Sequence, residues 1–527
     1  MKELIHNGVL VPEYKPVGLS IRVKGERLAL TPEQEEMAIA WVKKLGTDYA
    51  KDETFRRNFF EDFRKALGIQ DEVPPEEFDF SEVLAYVEGE RQRKEAMSKE
   101  EKKRLAAERK AIREANKAKY GYAIVDGVRV EVANYTVEPS SIFIGRGNHP
   151  LRGRWKPGPK QEDITLNLSP SAPRPPGNWR EIVWEPDSMW IARWRDKLSG
   201  KMKYVWLSDE FIFKQKRDIE KYDIARSLDE RIEAVRAHIM ENLKSEDPKR
   251  RKLATVCYLI DTLKIRVGDE KDKDEADTVG ATTLRPEHIK LKPGGVAIFD
   301  FLGKDAVRFH KKIKLPKAVE ENLREFMTKA NSPIFKGIRS EHVSAFLGEV
   351  VPGLTAKVFR TYHATKAVEE YLKANEVKPS DPEEVKKFVA TMANLQAAIV
   401  CNHKRKLPKN WRESLEKKIE RLKALRSKGT KRAKEAARKL AMKIKLMKAT
   451  KDYNLRTSLK SYIDPRVYYE WGRKVGLDWK SYYPKALQRK FSWLDSPPEV
   501  FQSPSAELSA EGMAPSSPAQ GGMEEKS

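Results

Sequence analysis

Cysteine is nearly absent. The chain has 527 residues and only two cysteines, Cys257 and Cys401. No disulfide framework can hold it, and a reducing compartment suits it. No run of eighteen apolar residues occurs, so no membrane partner is expected. The first residues, MKELIHNGVLVPEYKP, carry no apolar stretch behind a basic start, and the pattern of a secretory signal is missing. Zinc-ligand spacing is absent, and so is a phosphate-cradling glycine loop. GRGNHP at 145–150 has two glycines without the spacing of a nucleotide loop.

Charge is abundant, and one sign dominates. Lys and Arg number 103 against 79 Asp and Glu, a net +24, and charged residues make up 35% of the chain. Such a surplus calls for a polyanionic partner, nucleic acid before others. The plainer reading is a heavily solvated surface, which composition does not separate from it. Hydrophobic residues still reach 39%, enough for folded cores, and the length suggests about three or four domains.

Patterning divides the chain. Residues 1–90 mix strand-like runs with one helical stretch, TPEQEEMAIAWVKKL, opening on a capping pattern at Thr31. Residues 97–120 read as a charged helix with a thin alanine/leucine stripe, solvated or laid on a phosphate backbone. A strand-like region follows, with Trp179, Trp184, Trp190, Trp194 and Trp206, and LSGKMKYVWL reads as a turn entering a strand. Helices begin near 210. GGVAIFDF and AVRFHKKI form a β-hairpin through Leu302-Gly303-Lys304-Asp305, with Lys304 near its tip. Residues 411–452 hold sixteen Lys/Arg against five Asp/Glu, a net +11. Leu415, Ile419, Leu422 and Leu425, then Ala433, Ala437, Leu440, Ile444 and Met447, repeat at three and four around a Ser427–Thr430 turn. That predicts an antiparallel coiled coil, protruding because its stripe is narrow, and serving either as a charged spacer or as a basic arm beside a duplex. From Ser496 the chain is rich in Pro, Ser, Gly and Glu and reads as disordered.

The stretch SLKSYIDPR, residues 458–466, stands apart. Asp464-Pro465 reads as an N-cap followed by Pro at the first helical position, which leaves Tyr462 two residues before a helix start, on a bend. The positive end of that helix favours phosphate. A tyrosine hydroxyl can act as a nucleophile, but an ordinary pKa of about 10 leaves only ~0.1% phenolate at neutral pH, so cations nearby would help. On this stretch alone, a packing tyrosine is the better explanation of Tyr462.

Other stretches decide between the two. FRRNFFEDFRKAL, IGRGNHPLRG, DTLKIRVGDEKDKDEADTVGATTLRPEHI, FLGKDAVRF, GLTAKVFRTYHAT, IVCNHKRKLPKNW and SLKSYIDPR follow one another in this order. Together they resemble the type IB DNA topoisomerases, in the cellular form shared by eukaryotes and some archaea, from about residue 5 to 494. The resemblance implies a catalytic set, residue by residue. Arg266 in LKIRVGDEK fits the first arginine and Lys304 in LGKD the hairpin lysine. Arg360 in AKVFRTY fits the second arginine, His403 after Cys-Asn the histidine, and Tyr462 before Ile-Asp-Pro-Arg the nucleophile. Taken singly, the arginines are ordinary ion-pair partners, Lys304 a turn residue and His403 a helix C-terminal cap.

The implied chemistry is attack by Tyr462 on a backbone phosphate, departure of the 5′-oxygen and formation of a 3′-phosphotyrosine. Arg266, Arg360 and His403 would donate to the non-bridging oxygens, and Lys304 would protonate the leaving oxygen. Religation then needs no ATP, and no metal or other cofactor is required. Supercoils of either sign relax as the free end swivels. The resemblance also places Arg146 and His149 in an upper clamp near the cleavage site, with Asp305, Asn394, Lys357 and Ser461 as further DNA-binding residues. The basic arm matches the family's linker hairpin. Cys401 reads as a small buried residue.

Ser461 departs from the Asn common before the tyrosine in eukaryotic members, beside the pocket of camptothecin-type drugs, so drug response stays open. The long charged N-terminal extension of those members is missing. That favours an archaeal enzyme acting on the chromosome in a cytoplasm, although a shortened chain would look the same, and the nucleus is the alternative if the source is eukaryotic. Tyrosine recombinases share much of the set but usually carry His-x-x-Arg where this chain has Lys357-x-x-Arg360. A DNA-architectural protein would use the charge and the arm but not the tyrosine. The expected fold is α+β and multidomain. Residues 1–208 form an N-terminal mixed α/β DNA-clamping cap, and 209–408 a mainly helical, tyrosine recombinase-like catalytic core. Residues 409–452 are a coiled-coil linker, 453–495 the tyrosine-bearing C-terminal domain and 496–527 a disordered tail. The expected partner is supercoiled double-stranded DNA, clamped by a monomer.

Overall fold

In a computed structural model, residues 1–145, 147–268, 278–303, 307–405, 407–408 and 410–495 are described. The expectations placed on Arg146, Lys304, Asp305 and the 496–527 tail fall outside these residues.

Aromatic residues at helical spacing organise the start of the chain. Phe55, Phe59, Phe60 and Phe63 lie on one face of the helix Glu53–Ala66, and all are buried. Trp41, from the helix Pro32–Val42, stacks on Phe59 at 4.7 Å. That helix opens in a capping box in which Thr31 and Gln34 satisfy each other's backbone N–H. A small sheet, Glu26–Ala29, Ser20–Val23 and Phe78–Asp79, borders the cluster. The region before residue 90 is more helical than expected, with further helices at Glu53–Ala66 and Ser81–Ala96. The phenylalanine repeat at three and four is a helix period. The charged helix runs Lys99–Tyr120 and buries no residue.

A second core lies under a four-stranded sheet in the order Glu181–Val183, Ile164–Asn167, Trp190–Arg195, Met202–Trp206. Only the first pair is parallel. Trp190 and Trp194 point inward, and Trp206 sits on the edge strand, exposed. A three-stranded sheet, Leu4–His6, Tyr122–Val125 and Val128–Glu131, shares this core.

The long helix Ile212–Asn242 opens the second half. It packs with the helix Pro248–Leu263 and a sheet of Ile289–Lys292, Val296–Gly303 and Val307–Lys314 around a third core. Strand pairing runs out to Gly303 and Val307, so Leu302 and Gly303 belong to the strand rather than to the turn. A fourth core joins the far half of the helix Ala356–Ala374, the helix Glu383–Val400 and residues 459–491. The tyrosine segment therefore shares its core with the helices beside it.

Residues 411–452 form two helices, Trp411–Ser427 and Lys431–Ala449, packed on each other, with Thr430 capping the second. Only the second buries residues: Ala433, Ala437 and Ile444. The pair does not stand wholly free. Its second helix leans on Glu383–Val400, where Lys439 lies 3.9 Å from Glu384 and the Lys445 ammonium sits 5.4 Å from the Phe388 ring centroid. Long lysine stems cover apolar surface while their charge stays wet, so a basic helix can dock this way. No helix among the described residues is long and apolar enough to cross a membrane.

Candidate active site

Three chain breaks in regular structure meet at one cleft. The first follows the helix Pro248–Leu263, which Lys264 ends in a left-handed conformation, φ 60°. The chain then runs extended through Arg266, whose carbonyl accepts from Ala281 N–H at 2.9 Å. Gly268 and Gly280 touch here. A Cβ on Gly280 would come within 2.5 Å of Gly268 Cα, so neither position has room for a side chain. The Arg266 guanidinium donates to Thr278 Oγ1 at 3.1 Å.

The second break ends the helix Glu383–Val400. Asn402 takes φ 53°, His403 N–H donates to Ala398 O at 2.8 Å, and Asn402 N–H donates to Ile399 O at 3.0 Å. This is a Schellman motif, with Asn supplying the left-handed residue. Cys-Asn before His403 is thus the device that turns the histidine out of the helix. The third break is at Tyr462, which caps the short helix Leu455–Ser461 before the helix Pro465–Val475 begins.

Arg360 joins the second and the third. Thr355 caps its helix, accepting from Val358 N–H at 3.3 Å, and places Arg360 on the second turn. One guanidinium N–H donates to the Tyr462 hydroxyl at 3.0 Å and another to Cys401 O at 2.9 Å. The guanidinium carbon lies 4.7 Å from the Tyr462 ring centroid, and His403 packs on the same ring at 5.0 Å. Arg360 Nε is buried with no hydrogen-bond partner among the described residues. The cleft, about 380 Å³, is lined by Lys264, Arg266, Arg360, His403, Lys404 and Tyr462 among others, and no carboxylate among the described residues lines it. Such a site attracts an anion and presents forked donors to it.

Other side chains fix the tyrosine segment. Asn394 is 2% exposed; its amide N–H₂ donates to Leu455 O at 3.2 Å, and its oxygen accepts from Ser458 at 2.8 Å. Thr365 Oγ1 accepts from Asp464 N–H at 3.1 Å and donates to Tyr462 O at 3.4 Å. Ion pairs tie the segment to the long helix: Arg226 to Asp464 at 2.8 Å, Arg466 to Asp223 at 2.6 Å and Lys490 to Asp218 at 2.7 Å.

The sequence around this site is similar to known proteins. Residues 1–207 match a family model described as the eukaryotic DNA topoisomerase I DNA binding fragment, 211–450 its catalytic core, and 434–502 a C-terminal topoisomerase domain. The chain belongs to the eukaryotic DNA topoisomerase I family. It is 38% identical to DNA topoisomerase 1 of Candidozyma auris over 437 residues, covering 80% of this chain and 58% of that protein. It is 33% identical to the Drosophila melanogaster protein over 524 residues, covering 93% and 53%. With the human protein it shares 32% over 542 residues, covering 93% and 70%. The chain thus spans little more than half the length of the first two topoisomerase I relatives.

Of the residues assigned to a topoisomerase I site, Arg266, Arg360, His403 and Tyr462 line one cleft. Lys304 and Asp305 lie outside the described residues; Gly303 and Val307, on either side of them, line the cleft. Lys357 is exposed one turn before Arg360, and Ser461 ends the helix before Tyr462, half-buried. His149 is half-buried, its Nδ1 accepting from Leu151 N–H at 3.1 Å and its ring edge-on to Phe143 at 4.8 Å. Two expectations need correction. Asn394 does not face DNA; it is buried, and its amide is spent on Leu455 and Ser458. The N-terminus of Pro465–Val475 does not await a phosphate either, because the buried Asp464 carboxylate accepts from Arg466 N–H at 2.9 Å and from two arginine side chains. Local spacing carries no sign of the roles of Ser458, Thr365 and Cys401 O, since their partners lie 41 to 99 residues away.

Proposed function

We propose that this chain is a type IB DNA topoisomerase. The hydrogen bond from Arg360 to the Tyr462 hydroxyl carries the reading, because it puts a forked cation on the one oxygen that has to become a nucleophile. Tyr462 gives its hydroxyl proton to a water and attacks a backbone phosphorus. The bond to the 5′-oxygen breaks as the tyrosine ester forms on the 3′ side. Arg266, Arg360 and His403 donate to the non-bridging oxygens as charge grows there, which is where fixed donors accelerate most. Lys304 gives the 5′-oxygen its proton. The ester keeps the energy of the broken diester, so the free 5′-hydroxyl reverses the reaction without ATP, metal or other cofactor.

Between the two steps the free end rotates about the intact strand and relaxes supercoils of either sign. Residues 1–208 clamp one side of the duplex, with Arg146 and His149 nearest the break, and 209–408 with 453–495 hold the other side. Lys357, Asp305 and Ser461 touch DNA near the break, and the basic hairpin 409–452 lies beside the downstream duplex. The protein acts as a monomer bound to the chromosome.

Relaxation of a supercoiled plasmid in EDTA without ATP tests this. Wild type should relax it and leave a denaturant-trapped adduct on the 3′ side of the nick, and Tyr462→Phe should do neither. Relaxation by both proteins would remove Tyr462 from its role. Binding by both with relaxation by neither would leave an architectural protein.

A further inference from the structure

Directly behind the cleft lies a charged cluster that the chemistry above does not use. Asp261, in the last turn of Pro248–Leu263, is 9% exposed. Its Oδ1 lies 2.6 Å from His363 Nε2, and its Oδ2 accepts from Arg236 Nε at 2.9 Å. The Lys264 ammonium sits 3.0 Å from the same His363 nitrogen and donates to the Asp261 carbonyl. Three helices meet here: Ile212–Asn242 through Arg236, Pro248–Leu263 through Asp261, and Ala356–Ala374 through His363.

The positions on the chain matter more than the cluster itself. Lys264 stands two residues before Arg266. His363 stands three after Arg360, one helical turn on. Lys264 also lines the cleft. The Asp261–His363 bond is therefore a tie between the segments that carry the two arginines, made three residues from Arg360 and five from Arg266. Burying charges is costly, and apolar side chains would hold the same helices together at least as well. What directional hydrogen bonds add is a fixed distance and register, which sliding apolar contacts lack.

We propose that Asp261, His363 and Lys264 are positioning residues that set the spacing of the Arg266 and Arg360 guanidiniums across the scissile phosphate. This rests on the reading of the cleft as the cleavage site. A misplacement near 1 Å costs on the order of 100-fold in such a constellation, so the tie acts on rate rather than on affinity.

Its protonation is distinctive. Burial and the charges of Arg236 and Lys311 push the Lys264 ammonium down to about 8, against the pull of Asp261. Burial and the Lys264 charge lower His363, against its hydrogen bond to Asp261. Burial would raise the Asp261 carboxyl, but hydrogen bonds from His363 and Arg236 hold it below the usual carboxylate range. The cleft side adds Arg266, Arg360, His403 and Lys404, all cations or able to become cations. The one ring nitrogen facing both Asp261 and Lys264 serves one partner at a time, so loss of the Lys264 proton rearranges the tie.

The test is single-turnover cleavage of a duplex oligonucleotide, with duplex affinity and thermal stability measured on the same proteins. His363→Leu should cleave about 10- to 100-fold more slowly while binding DNA within about twofold of wild type. His363→Gln, which can still donate to Asp261, should recover most of the rate. Lys264→Met should remove a fall in wild-type cleavage centred near pH 8, and Lys264→Arg should shift that fall upward. Wild-type cleavage by His363→Leu overturns the proposal, as does a loss that tracks affinity or that Gln does not rescue. If His363→Leu fails to fold, the Lys264 pair decides, and a wild-type pH profile in Lys264→Met overturns the proposal. Failure of the cleavage reading itself shows differently, as no Tyr462 adduct from the wild type at any pH.

Discussion

Arg360 holds Tyr462 in two ways at once: an N–H donates to the hydroxyl at 3.0 Å, and the guanidinium plane covers the ring with its carbon 4.7 Å from the centroid. Lysine cannot do both, since a point ammonium has neither the fork nor the flat face. Arg360→Lys should lower the cleavage rate by about 10²- to 10³-fold, the scale of losing one donor at a developing oxyanion. Duplex affinity should stay near wild type. Adduct formation measured over time checks this, and an unchanged rate would detach Arg360 from the reaction.

Asn394 predicts an effect of another kind. Asn394→Ala removes one hydrogen bond each from the Leu455 carbonyl and the Ser458 hydroxyl, which still bond each other, and costs about 1 kcal/mol. Thermal unfolding should show the loss. The dependence of DNA affinity on salt should not change, because no phosphate contact is removed. A shallower salt slope would return Asn394 to the DNA surface.

The basic hairpin can be removed cleanly, because its two ends meet. Arg405 N–H donates to Asp452 O at 2.9 Å, and Lys404 bridges to Tyr453. A protein joined from Asn410 to Tyr453 should fold and relax plasmid at low salt. Its log–log salt slope should be shallower by about 0.9 for each phosphate the hairpin had neutralised. A slope equal to that of wild type would make the hairpin a spacer.

His6 gives the N-terminal half a pH dependence. Its Nε2 faces Asn167 O at 2.8 Å, and its Nδ1 accepts from Gly8 N–H at 3.0 Å, so both ring nitrogens are committed to the neutral form. Burial lowers its pKa from 6.5 to about 4. The unfolded chain binds the proton first. The stabilisation is complete above pH 6.5 and is lost as pH falls toward 4, in all about 3 kcal/mol. Melting temperatures between pH 7.5 and 4.5 should fall, and His6→Gln should flatten that part of the curve. Parallel curves would assign the acid lability elsewhere.

The sequence carried some of this arrangement openly and the rest not at all. Asp464-Pro465 marked a helix start, and the helix begins at Pro465 with Asp464 as its cap. Cys-Asn-His and the Tyr462 stretch were legible as motifs, and both line the cleft. The charge of Asp464 was read only as a cap, so its filling of the helix end was missed. The resemblance puts Asn394 at the DNA, while its place on the helix Glu383–Val400 turns it inward. His363 was in view one turn after Arg360, but its partner Asp261 is 102 residues away. Local spacing reports which residues share a helix face, and says nothing of what another helix brings to that face.

The lean of the hairpin on Glu383–Val400 puts that helix between the hairpin and the tyrosine. Lys439 and Lys445 press near its start, at Glu384 and Phe388. Farther along, Asn394 grips Ser458 beside the tyrosine, and the far end turns out His403. One helix thus carries, along its length, the seat of the basic hairpin and two of the contacts that surround Tyr462.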